Sequence, residues 1–376
     1  MTAEKPGPPI PMLDLVAQFQ SIQHELRDAV EDVLRSGKFI LGAQVEAFEH
    51  EIARTCGVAH AVGVASGSDA LLLALRAAGV GAGDEVIVPA FSYIASADTI
   101  SLLGAIPVFC DISLDTFNLD PAQIESRITS RTKAIIPVHL FGQPANMERI
   151  LAFADSAQLV VIEDAAQAIG ATCGGRPAGS FGDFGCLSFY PTKNLGAAGD
   201  GGMILTSSPE SAARLRSLRG HGAVAHKYIS EEQGWNSRLD ELQAAILCVK
   251  LRHLAGWTAA RQSHAARYDK LLRAVPGLTL PHVAPGSTHV YHQYTIRLAD
   301  RERVQKHLAA GGIASTVYYP VPLHLQPMFA HLGYQPGSMP HAERAALEVL
   351  SLPIYPELTA EQIDRIANAV ATAVVR

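Results

Sequence analysis

From residue 60 onward, short and almost continuous apolar runs alternate with stretches of helical period. Residues 60–65, 85–89, 107–111, 133–138 and 159–163 read as strands. Residues 69–79, 92–103 and 147–157 read as the helices between them, and 186–189 and 203–205 as further strands. Strands apolar on both sides belong in a parallel sheet covered by helices on each face. Before this block, Ile22, Leu26, Val30, Val33 and Leu34 fall at helical spacing in a helix over 21–36 that Gly37 ends. A second helix covers 44–54. After the block, a long helix over 239–271 can connect two bodies. A strand at 291–297, a helix at 301–310 and a terminal helix from Ala360 form a smaller α/β unit. The expected division is a large domain over 12–250 and a small one over 251–376, with a contribution from the N-terminal segment.

Composition removes several function classes. Of 376 residues, 48% are hydrophobic and 18% charged, enough for a large core and against disorder. The net charge is −6, with no block of Lys or Arg, so no nucleic-acid partner is expected. No apolar run approaches the ~18 residues of a membrane span. The N-terminus lacks a basic stretch followed by an apolar one, so a cytoplasmic location is expected. The five cysteines, Cys56, Cys110, Cys173, Cys186 and Cys248, include no CxxC pair. Buried reduced thiols are expected rather than a disulfide framework or a zinc site, and no metal is expected. GxGxxG, GxxxxGK[ST], HExxH and GxSxG are all absent. Dinucleotide, nucleotide-hydrolase, zinc-peptidase and α/β-hydrolase chemistries thereby lose their main support.

Three segments at strand ends carry the chemistry. Ser66-Gly67-Ser68-Asp69 joins a strand to a helix, whose free N–H groups and dipole suit a phosphate. The same residues also serve an ordinary helix cap. Val160–Gln167 places Glu163 and Asp164 at the end of a buried strand, where a carboxylate needs a cationic or hydrogen-bonding partner. Helix capping is the other role open to it. Leu187–Gly202 sets Lys193 among aromatics, just before a glycine-rich loop. Desolvation there would lower its pKa and make it nucleophilic, although most lysines simply stay on the surface. Together the segments meet the needs of pyridoxal 5'-phosphate: a lysine to condense with its aldehyde, a carboxylate at its ring nitrogen, and a phosphate cup.

The chain resembles the DegT/DnrJ/EryC1/StrS family of pyridoxal-phosphate-dependent nucleotide-sugar aminotransferases. The resemblance runs through Leu13-Asp14-Leu15, GKFILG from Gly37, SGSDAL, GDEVIVPAFSYIAS, PVHLFGQPANM, VIEDAAQAIGA, SFYPTKNLGAAGDGG, NSRLDELQAAIL, YYPVPLHLQP and VLSLPIYPEL. It implies an α/β, aspartate-aminotransferase-like fold of type I. Such a fold has a large domain with a mostly parallel seven-stranded sheet and a smaller C-terminal α/β domain. It also implies a homodimer with shared sites. By the same resemblance, Lys193 carries the cofactor and Asp164 meets its ring nitrogen. Gln167 lies near the ring hydroxyl and Tyr93 stacks on the ring. Gly67, Ser68 and Ser188 contact the phosphate, with Asn236 reaching in from the other subunit. Tyr190, Arg238, Tyr318 and His324 are the implied substrate contacts. Relatives that act as dehydratases have histidine in place of the lysine, so Lys193 implies transamination. The NLGAAGDGG loop resembles the branch that aminates C3 of a keto sugar, although that branch usually has histidine where Tyr318 stands. The expected reaction moves an amino group from L-glutamate to a nucleotide-linked keto sugar. A 4-keto sugar or a keto-cyclitol is the alternative substrate. A non-catalytic sensor or regulator on the same fold is the alternative of another class.

Overall fold

The computed structural model describes residues 8–224, 226 and 228–375. In chain order, helices α1 (Leu15–Ser36) and α2 (Ala43–Cys56) precede β1 (His60–Val64), α3 (Gly67–Ala77), β2 (Glu85–Pro89), α4 (Ala95–Leu102) and β3 (Ile106–Cys110). Then come β4 (Thr132–Ile135), α5 (Met147–Ala157) and β5 (Val160–Asp164). A hairpin of β6 (Thr172–Cys173) and β7 (Arg176–Pro177) follows, then β8 (Phe184–Ser188), β9 (Gly202–Thr206), α6 (Pro209–Leu218) and α7 (Glu241–Leu272). The chain ends with β10 (Tyr294–Arg297), α8 (Arg301–Ala310), α9 (Pro340–Glu348), β11 (Val349–Leu352) and α10 (Ala360–Val375).

Seven strands form the main sheet in the order β1-β9-β8-β5-β4-β2-β3. All neighbouring pairs are parallel except the two made by β9, which runs antiparallel to β1 and β8. The reversal of β9 has a local cause. Residues 189–201 hold no helix to carry the chain back for a parallel strand, so the chain turns and pairs beside β8.

Each strand feeds two cores by simple alternation. Val86 and Val88 pack with Leu71, Leu73 and Ile100 of α3 and α4, while Ile87 packs with Met147 and Ile150 of α5. Likewise Ile204 joins the first face, and Met203 and Leu205 join Phe48 and Ile52 of α2 on the other. This double burial explains why the strands read as unbroken apolar runs.

A second core surrounds the two-stranded antiparallel sheet β10-β11, covered by α8, α10 and the C-terminal half of α7. Ile10 from the N-terminal segment is buried in it. Leu247 and Leu254 of α7 belong to the main core, whereas Tyr268 and Leu272 belong to the second. Residue 250, where the sequence reading divides the chain, therefore lies inside a helix that both cores share.

Boundaries differ where side chains intervene. Asp14 caps α1, accepting from the Ala17 amide at 2.9 Å, so the helix starts before residue 21. Helix α4 starts only at Ala95, which leaves Ser92 and Tyr93 in a loop. Strand β4 stops at Ile135, ahead of Pro137, which has no N–H to give. Helices α6 and α9 and strand β11 were not read from sequence. All five cysteines are free thiols; Cys173 and Cys248 are half-buried rather than buried. No helix among the described residues is long and apolar enough to cross a membrane.

Candidate active site

The three segments singled out in the sequence meet at one end of the sheet. Strands β1, β5 and β8 run parallel and end together, the usual place for a ligand in such folds. There a cavity of 680 Å³ opens, lined by Gly67, Ser68, Tyr93, Asp164, Gln167, Ser188, Tyr190, Lys193 and Tyr318 among others. Nine of the expected site residues thus share one chamber.

Strand alternation separates the two adjacent carboxylates. Glu163 points away from the cavity and is fully buried. It accepts from His139 Nε2 at 2.7 Å and from the amides of Gly179, Phe181 and Gly182 at 2.8, 2.6 and 2.7 Å. Its role is to pin the connection between β7 and β8. Asp164 instead faces the cavity, accepting from Ser96 Oγ at 2.7 Å and from the Ala166 amide at 3.2 Å. Gln167 accepts from the Phe141 amide at 2.7 Å and donates to the Tyr319 hydroxyl at 3.1 Å.

Lys193 sits on a tight loop. A Cβ on Gly196 would stand 2.3 Å from the Pro191 carbonyl, so only glycine allows the loop to close there. Lys250 of α7 holds the same loop from beneath, donating to the Gly196 carbonyl at 2.7 Å. Asn194 holds it from the side, donating to the Val290 carbonyl at 3.0 Å. Burial pulls the Lys193 ammonium down to about 8, against the opposing attraction of the Asp164 carboxylate. Its Nζ has no hydrogen-bond partner among the described residues.

The third wall is the start of α3. Ser66 caps it, accepting from the Asp69 amide at 3.0 Å, while the amides of Gly67 and Ser68 have no partner among the described residues. A Cβ on Gly67 would lie 2.6 Å from Ser188 Cβ, and one on Gly202 would lie 2.2 Å from the Ser66 carbonyl. The backbone therefore forms a close cup of free N–H groups beside the Ser68 and Ser188 hydroxyls. A phosphate acceptor, a half-buried low-pKa amine and a fixed carboxylate around one chamber fit pyridoxal phosphate. Gly67, Ser68 and Ser188 could hold its phosphate, Asp164 its ring nitrogen and Lys193 its aldehyde carbon.

Three expected residues are elsewhere. His324 does not reach the cavity, which corrects the substrate-contact expectation. It is buried in a short 3-10 turn, with Nε2 3.1 Å from Glu343 and its ring beside Phe109 and Tyr334. The Leu323 amide anchors that turn on the Ala90 carbonyl and sends the imidazole into the interior. Asn236 and Arg238 lie outside this chain's cavity, and Asn236 is exposed. Conversely, Ser92, Tyr319 and His292 line the chamber without having been singled out. His292 Nδ1 is 3.2 Å from Asn194 Oδ1, and burial holds its ring well below the usual histidine range. The doublet Tyr318-Tyr319 was the available signal for Tyr319, and the PAFSYIAS motif around Tyr93 for Ser92; nothing local marks His292.

The comparisons with known proteins point to the same cofactor and family. The model of the DegT/DnrJ/EryC1/StrS aminotransferase family matches residues 20–371. The chain is 52% identical over 364 residues to the pleiotropic regulatory protein of Geobacillus stearothermophilus, covering 96% of this chain and 98% of that one. It is 50% identical over 361 residues to the UDP-N-acetyl-3-dehydro-alpha-D-glucosamine 3-aminotransferase of Acidithiobacillus ferrooxidans, covering 96% and 97%. The crystal structure of DesV from S. venezuelae superposes with a TM-score of 0.96 at 47% identity, covering 98% and 99%. NtdA from Bacillus subtilis, solved with its cofactor PMP bound, gives 0.91 at 33% identity, covering 100% of this chain and 87% of that one. The chain belongs to the DegT/DnrJ/EryC1/StrS aminotransferase family.

Proposed function

We propose that this aminotransferase uses pyridoxal phosphate to move an amino group from L-glutamate to C3 of a nucleotide-linked keto sugar. The observation that carries the reading is Lys193, a low-pKa amine opposite the Asp164 carboxylate in a chamber closed by free helix amides. The 3-aminotransferase relative, half identical over nearly the whole chain, supports C3 as the carbon aminated. A 4-keto sugar or a keto-cyclitol is the competing substrate.

When bound, pyridoxal phosphate supplies an electron sink for the charge left on the substrate carbon. The chain does the rest. Gly67, Ser68 and Ser188 anchor the phosphate end, and Tyr93 covers the ring face. Asp164 holds the proton on the ring nitrogen, and Gln167 fixes the opposite edge. Lys193 Nζ carries a proton from one carbon to its neighbour. With a pKa of about 8, roughly a tenth of it is the free base at neutral pH, against well under a thousandth for an ordinary lysine. Tyr190 and Tyr318 border the space left for the sugar nucleotide. In the same reading the protein is a cytoplasmic homodimer. Asn236, exposed and outside its own cavity, completes the partner's phosphate cup, and Arg238 lies beside it.

The test is the visible absorbance of the purified protein with pyridoxal phosphate, before and after L-glutamate. A yellow band that fades with glutamate is expected. Lys193→Ala should lose both the lysine-linked band and turnover while keeping its circular dichroism. A protein that stays colourless with the cofactor would overturn the reading. A panel of 3-keto and 4-keto sugar nucleotides then decides the carbon. The regulatory name of the Geobacillus relative raises a sensor role, but a sensor has no use for a reactive lysine facing a carboxylate.

A further inference from the structure

The proposed role of Asp164 leaves one question: what fixes the carboxylate. Among the described residues its Oδ1 has only a long 3.2 Å contact, to the Ala166 amide. Its Oδ2 accepts from Ser96 Oγ at 2.7 Å, and Ser96 Oγ lies 2.9 Å from Ser92 Oγ. Ser96 is fully buried and Ser92 nearly so. Both come from the segment entering α4, far in sequence from β5.

Counting protons gives the chain a direction. A carboxylate only accepts, so the single hydroxyl hydrogen of Ser96 goes to Asp164. Ser92 must then donate to Ser96. That leaves Ser92 Oγ as a pure acceptor where it lines the cavity. A hydroxyl that receives a hydrogen bond is a stronger donor in turn, and burial strengthens both contacts. We propose that Ser96, backed by Ser92, is a positioning residue that locks the Asp164 carboxylate in the orientation its role at the ring nitrogen requires. The proposal rests on that role of Asp164. The other titratable groups coupled to Asp164 are Lys193 on the glycine-rich loop, Cys186 on β8 and Tyr319. Among the described residues, none of these donates a hydrogen bond to its oxygens.

The experiment compares holoenzymes of Ser96→Ala, Ser92→Ala, Ser96→Thr and Asp164→Asn. Two readouts are taken besides turnover: the pH midpoint of the visible band of lysine-bound pyridoxal phosphate, and the cofactor dissociation constant. Ser96→Ala removes one oxygen and adds nothing, so folding is retained. It should move the midpoint in the same direction as Asp164→Asn and weaken cofactor binding about tenfold, as for a lost hydrogen bond to a charged group. Ser92→Ala should shift both less, and Ser96→Thr, which keeps the hydroxyl, should stay near the parent. A residue that only packs would leave the midpoint still. A parent-like midpoint in Ser96→Ala, with Asp164→Asn displaced, would overturn the proposal alone. An unmoved midpoint in Asp164→Asn would overturn the Asp164 assignment and the proposal with it.

Discussion

Replacing Glu163 by glutamine keeps the shape of the side chain and breaks a count. The carboxylate receives four donors: His139 Nε2 and the Gly179 amide on one oxygen, the Phe181 and Gly182 amides on the other. His139 Nδ1 accepts from the Ala145 amide at 3.0 Å, so the ring proton sits on Nε2. An amide has one acceptor end. If its oxygen faces Gly179 and His139, the amides of Phe181 and Gly182 lose their partner. If it is turned round, the Gly179 amide is orphaned. His139 then either opposes a donor or shifts its proton and orphans Ala145. Every arrangement leaves at least two donors unpaired, at about 1–3 kcal/mol each. The cost is about 2–6 kcal/mol, toward the lower end because Phe181 and Gly182 are half-exposed. At about 2.1 cal/mol/K per residue, 376 residues carry an unfolding entropy of roughly 0.8 kcal/mol/K. Glu163→Gln should therefore lower the Tm by roughly 3–8 °C in thermal unfolding at fixed protein and cofactor concentration. A shift under about 1 °C would show that the four-donor count has no energetic content.

Gly67→Ala should weaken cofactor binding markedly and also lower the unfolding temperature of the cofactor-free protein, because the added methyl meets the Ser188 Cβ at 2.6 Å in the cup. Spectroscopic titration with pyridoxal phosphate checks it, and parent affinity would refute the cup. Lys193 in the cofactor-free protein should react with an amine-directed reagent with a midpoint near pH 8, well below ordinary lysines. Peptide mass spectrometry against pH reads this, and a midpoint near 10.5, the value for an unperturbed lysine, would refute it. The folded-state pKa of Lys193 lies below its unfolded value, so the protonated form destabilises the fold at pH below about 8. Lys193→Met should accordingly raise the Tm of the cofactor-free protein at pH 7, and a fall would contradict the sign.

The sheet was legible because its strands are buried on both sides and so announce themselves without alternation. The direction of β9 was not, since a short apolar run such as Met203–Leu205 has no polarity of its own. The connection preceding it holds the information, as a missing helix. Asp164 stood out because it ends a buried apolar strand, and Lys193 because it lies among aromatics just before a glycine-rich loop. Which of Glu163 and Asp164 faces the cavity follows from strand alternation, but only once the location of the cavity is known. Ser96 and His292 escaped notice because their partners are distant: Ser96 meets Asp164 across 68 residues and His292 meets Asn194 across 98. His324 shows the opposite failure. Its local motif is familiar, yet the turn that carries it is anchored on Ala90 and faces inward.

Strand β1 joins the sheet only through β9. As the chain leaves the ribosome, β2, β3, β4, β5 and β8 emerge in turn and pair with one another as they appear. β1 emerges before all of them and has no strand to pair with until Gly202–Thr206 follows. The start of α3, which follows β1, is thus fixed from two sides, by Ser188 of β8 against Gly67 and by Gly202 of β9 against Ser66. The anion cup is therefore complete only once β9, the last strand of the sheet in chain order, is in place beside Ser66.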